Sequence, residues 1–175
     1  NAGELLNQRG KVQTSGDAGL SVSVAGTLDN RDDGLIASAA KADLSAGSLD
    51  NRGAAVNAAG PLTVAVQLAL DNRGGKLVSA ADLGVTAATL DNRDAGLLVS
   101  TDGKLDVGTL GRTENAGGTL QGGGDVRLAN TGLGNAGGSV LGANVEVDTR
   151  LASLDNAGGS IASTTGTLDL DSGAL

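Results

Sequence analysis

Leu70-Asp71-Asn72-Arg73-Gly74-Gly75-Lys76-Leu77 is the stretch on which the fold turns. Leu70 and Asn72 stand two residues apart, Asp71 and Arg73 interleave with them, and Leu77 follows the asparagine by five. Leu-Asp-Asn returns at Leu28–Asn30, Leu49–Asn51, Leu90–Asn92 and Leu154–Asn156, with degenerate copies ending at Asn7, Asn115 and Asn135. The eight asparagines Asn7, Asn30, Asn51, Asn72, Asn92, Asn115, Asn135 and Asn156 are spaced by 23, 21, 21, 20, 23, 20 and 21 residues. A fixed period of this length is the mark of a solenoid, in which each repeat buries its apolar face against the next.

Other positions keep the same beat. Five residues after each asparagine stand Val12, Leu35, Val56, Leu77, Leu97, Leu120, Val140 and Ile161, all aliphatic, and these read as one buried column. Further along come alternating pairs such as Leu62/Val64, Leu83/Val85 and Val126/Leu128; the Asn30 repeat has only Leu44 there. Spacing of two is strand periodicity, and the glycine content disfavours helix. A leucine-rich repeat of similar length needs a longer leucine frame and a helical segment. The reading is therefore all-β: a parallel β-helix of about eight coils of ~20–21 residues, each paired with the next at ~4.8 Å. The whole of 1–175 reads as one repeat segment. The chain starts at Asn1 without a signal peptide and ends in mid-pattern, so it reads as a piece of a longer filament.

In an extended Leu-Asp-Asn-Arg segment, leucine and asparagine share one face and aspartate and arginine the other. Leucine belongs inside, so asparagine does too. A buried amide is costly unless it is hydrogen-bonded, and a stack of identical coils lets each donate to the next. The eight asparagines are thus expected to form a structural ladder. Asp29, Asp50, Asp71 and Asp91 lie beside Arg31, Arg52, Arg73 and Arg93 as an outward charge stripe of small net worth. Gly34, Gly75, Gly96, Gly118, Gly138 and Gly159 mark the corner before the buried aliphatic.

Composition limits function. Of 175 residues 30 are glycine, and there is no Cys, His, Met or aromatic residue. That excludes a disulfide framework, the usual zinc and haem sites, a thiol nucleophile and a Ser–His pair. No cofactor is expected. A net charge of −8 argues against nucleic acid as a partner. A polysaccharide-cleaving enzyme on a β-helix needs clustered carboxylates in a groove, and usually aromatics to stack the sugar. Here the acidic residues follow the repeat instead, so the chain is not expected to be an enzyme.

The beat Leu-Asp-Asn-Arg-x-Gly-x-[Leu/Val], clearest at Leu70–Leu77 and Leu28–Leu35, resembles the repeats of filamentous haemagglutinin over essentially all of the chain. The resemblance implies a right-handed β-helical filament belonging to a very large exoprotein of a Gram-negative bacterium. Such proteins are exported through the outer membrane by a dedicated partner transporter and held at the cell surface. Some members are adhesins with a host receptor or glycan, and others are sticks that carry a toxin. No Arg-Gly-Asp motif is present. The expected role is a secreted, surface-located structural shaft, the alternative being a direct adhesive face. The open ends of such a rod also suggest end-to-end self-association.

Overall fold

The computed structural model describes residues 3–173; Asn1 and Leu175 lie outside them. Every regular element among the described residues is a β-strand. The strands form three parallel sheets of eight, and in each sheet every third strand of the chain lies beside the last. This is a β-solenoid of eight turns.

One coil shows how sequence makes the shape. Ala69–Asp71 lies in the first sheet, Lys76–Ser79 in the second and Leu83–Ala87 in the third. Leu70, Leu77, Leu83 and Val85 point inward and are essentially inaccessible to solvent. Each sits on its own kind in the next coil: Leu70 on Leu90, Leu83 on Leu105, Val85 on Val107. The interior is a set of aliphatic columns with no ring in it, thin enough for leucine and valine from three sheets to fill. Each buried leucine contributes about 1.5–3 kcal/mol. Where the Asn30 coil lacks a second aliphatic, fully buried Ala42 stands between Leu20 and Leu62.

The buried column after the asparagine needs two corrections. Leu35 and Leu97 are half-buried and face outward, and Ile36 and Leu98 are the inward residues. The ladder pairs Val12 with Ile36, Ile36 with Val56, Leu77 with Leu98 and Leu98 with Leu120. The cause is turn length. In the Asn72 coil the first turn is Arg73-Gly74, with Gly74 at φ +62°. In the Asn30 and Asn92 coils it is one residue longer, with Asp32 and Asp33, and Asp94 and Ala95, all left-handed. One extra residue before a strand flips every side chain to the opposite face. Val56, Leu77, Leu120 and Val140 are fully buried, while Val12 and Ile161, in the outermost coils, are half-buried.

Candidate functional site

Two columns beside the first turn carry most of the polar chemistry. The inner one is the asparagines. Asn7 Nδ2 donates to Asn30 Oδ1 at 2.6 Å, and the chain of donation runs on through Asn51 (2.8 Å), Asn72 (2.7 Å), Asn92 (2.7 Å), Asn115 (2.7 Å), Asn135 (2.7 Å) and Asn156 (2.6 Å). Each amide from Asn7 to Asn135 also reaches a main-chain carbonyl of the following coil, as Asn72 Nδ2 does to Leu97 O at 3.2 Å. Asn30 through Asn135 are fully buried; Asn156 is half-buried at the last rung. All rungs point the same way, donor toward the C-terminal coil.

A glycine flanks most rungs. A Cβ on Gly75 would sit 2.1 Å from Asn51 O and 2.7 Å from Asn72 Oδ1. The corner glycine therefore keeps room for the carbonyl of the coil beneath and for the amide of its own coil.

The outer column is Asp–Arg. Arg52, Arg73 and Arg93 meet the aspartate of their own coil, Asp50, Asp71 and Asp91, at 2.7, 2.8 and 2.7 Å. Arg31 lies 3.2 Å from Asp29. Two of the arginines also lean to the next coil, Arg52 to Asp71 at 3.6 Å and Arg73 to Asp91 at 3.5 Å. The hydrogen bond from the Arg52 side chain holds the Asp50 carboxyl below its ordinary value, against the opposing effect of burial. At Asp91 partial burial pushes upward, but bonds from the Arg93 side chain and main chain outweigh it and the carboxyl is lowered. The same pairing raises Arg52, Arg73 and Arg93 above the ordinary arginine value, their side-chain bonds to aspartate being the main cause.

Each aspartate has a second task that alternation alone does not reveal. Asp50 Oδ1 accepts from the main-chain N–H of Arg52 at 3.3 Å, and Asp71 does the same for Arg73 at 3.2 Å. This is an Asx-turn, which fixes the corner whether or not arginine follows. Asp155 still makes it, to Ala157 N at 3.0 Å. The stripe thus neutralises itself: its carboxylates are occupied by turn N–H groups and guanidinium groups, so each arginine charge is matched by an aspartate at hydrogen-bond distance.

Other buried polar side chains escape a search keyed to Leu-Asp-Asn. Ser79 Oγ lies within 2.9 Å of the carbonyls of Gly60, Ala81 and Asp82, and Ser100 Oγ donates to Ala81 O at 2.6 Å. They close the second corner. Their signal was a small residue two places after each buried aliphatic. At the third corner Thr109, Thr113, Asn130 and Thr149 are also buried.

The model of the haemagglutinin repeat family matches this chain in three overlapping stretches, residues 1–74, 57–109 and 107–175. Nothing matches significantly among curated proteins or among solved structures.

Proposed function

The chain belongs to the haemagglutinin repeat family, and we propose that it serves as a shaft segment of a secreted, surface-located filament of a Gram-negative bacterium. Continuity is the observation that supports this reading most. Three eight-stranded sheets run through the whole described length, so each coil is braced by its neighbours. Repetition of this kind transmits position along an axis. The segment 1–175 acts as one unit of a longer filament whose adhesive or toxic modules lie elsewhere, and an outer-membrane transporter exports the parent protein. The segment is neither an enzyme nor a binder of nucleic acid.

The alternative, a direct adhesive face for host glycan or protein, rests on the arginine column. Against it stands the pairing of Arg52, Arg73 and Arg93 with aspartates at hydrogen-bond distance. Desolvating such pairs for a ligand gains little. The test is passage over immobilised heparin at about 0.15 M salt, where exposed charges are screened beyond ~8 Å. The shaft reading expects flow-through. Retention abolished by replacing Arg31, Arg52, Arg73 and Arg93 with alanine would replace it with the adhesive one. Sedimentation over a concentration series reports separately on stacking of copies end to end, which the open strand edges favour.

A further inference from the structure

One column at the third corner changes chemistry partway along the rod. In the first four coils it is aliphatic: Val24, Ala46, Val66 and Ala87; in the next three it is Thr109, Asn130 and Thr149. All seven are buried. The two threonines are satisfied. Thr109 Oγ1 donates to Gly111 O at 2.8 Å, and Thr149 Oγ1 donates to Ala152 O at 2.7 Å. Asn130 is not. It is fully buried, and neither its Nδ2 nor its Oδ1 has a hydrogen-bond partner. The fully buried asparagines of the ladder, Asn30 through Asn135, are by contrast bonded through both Oδ1 and Nδ2.

An amide ladder is closed to Asn130, because its column neighbours are threonines. Burying an amide with nothing to bond costs far more than enclosing a small partner with it. The adjacent column provides room and polarity. Thr113 stands fully buried between Leu90 and Leu133, so a shorter side chain replaces leucine at this level. Its hydroxyl lies 3.1 Å from that of Thr109. A buried water needs two to four polar partners and a space of about one probe sphere.

We propose that the third corner encloses a bound water molecule, held by the Asn130 carboxamide and the threonine hydroxyls of the neighbouring coil. The water accepts from Nδ2 and donates to Oδ1, and the Thr109–Thr113 hydroxyl pair supplies its further partner. Thr109 also lines a shallow recess outside the same corner, with Val66, Ala87, Leu110 and Arg150. The rod is then dry where this column is aliphatic and hydrated where it turns polar.

The test is water-to-protein cross-relaxation by NMR on the labelled chain. The Asn130 Nδ2 protons should show a direct contact with water of long residence. The Nδ2 protons of Asn72, inside the ladder, should show none and serve as the internal control. Asn130→Val should fold, because Val24 and Val66 fill the same column, and should lose the water contact at Thr109 while the ladder resonances stay in place. Asn130 protons as free of water contact as those of Asn72 would overturn the proposal. So would a water contact at Thr109 that survives Asn130→Val, since the amide would then not be what holds it.

Discussion

Asn72→Ala tests whether the asparagine column holds the rod together. In the native chain Asn72 Oδ1 accepts from Asn51 Nδ2 at 2.7 Å, and its Nδ2 donates to Asn92 Oδ1 at 2.7 Å and to main-chain carbonyls at 3.2 Å. Truncation leaves one Asn51 proton and the Asn92 oxygen unpaired in a fully buried place. At about 1–3 kcal/mol for each unsatisfied group, the loss is about 2–6 kcal/mol. Asn156→Ala is the control. It breaks a single rung of 2.6 Å at a half-buried position where water can substitute, so it costs about 1 kcal/mol.

Asn72→Asp sharpens the test, because it keeps shape and removes only the donor. A carboxylate there still accepts from Asn51 but faces Asn92 Oδ1 with no proton between them. Desolvation and the opposing oxygen then raise its folded pKa above the unfolded value of ~3.9. A raised pKa contributes stability that is complete below the unfolded pKa and lost as pH rises through the folded one. The gap between variant and wild type should therefore widen from pH 3.5 to pH 7. The assay is the urea midpoint by circular dichroism at both pH values, with hydrogen exchange on flanking coils to check that unfolding is shared. A midpoint for Asn72→Ala no lower than that for Asn156→Ala refutes the reasoning. A pH-independent deficit for Asn72→Asp does the same.

With Leu98 inward, Leu98→Ala costs about 2–5 kcal/mol by leaving a cavity, whereas half-buried Leu97→Ala costs under about 1 kcal/mol; a lower urea midpoint for Leu97→Ala than for Leu98→Ala would put Leu97 inward instead. Ala95→Gly should raise stability by about 0.5–1 kcal/mol, seen as a higher urea midpoint, since Ala95 holds φ +63° that glycine adopts without strain, and a lower midpoint would mean that the turn is not strained. Asp50 and Asp91 have lowered folded pKa values, so their contribution is present above ~3.9 and lost as pH falls through the folded values. Acid titration of thermal stability should hold steady down to about pH 4 and decline below it, with a smaller decline when Arg52 and Arg93 are replaced by alanine.

The period, the strands and the facing of leucine and asparagine were legible because a solenoid puts the same demand on the same place in every coil. Register within a coil was less legible, for a specific reason. Leu35-Ile36 and Leu97-Leu98 are both doubly aliphatic, so either member satisfies a count from the asparagine. The better ruler is the corner glycine. Gly34 and Gly96 stand four residues after their asparagine, where Gly10, Gly75, Gly118, Gly138 and Gly159 stand three after theirs. In every one of these coils the inward aliphatic comes two residues after the glycine: Val12, Ile36, Leu77, Leu98, Leu120, Val140 and Ile161. Close packing explains why. The glycine lies against the carbonyl of the asparagine one coil back, 2.6 Å from a Cβ on Gly34 measured to Asn7 O and 2.1 Å from one on Gly118 measured to Asn92 O. That contact fixes where the next strand begins, whereas the turn before it accepts two residues or three. Ala54 holds the same place in the Asn51 coil, buried and two residues before Val56, so the strand start is kept there with a methyl group. The polar third corner had no such ruler. Thr109, Asn130 and Thr149 replace a column that Val24 and Val66 define, and a departure confined to three coils carries no signal at the period of the whole chain until the coils are stacked.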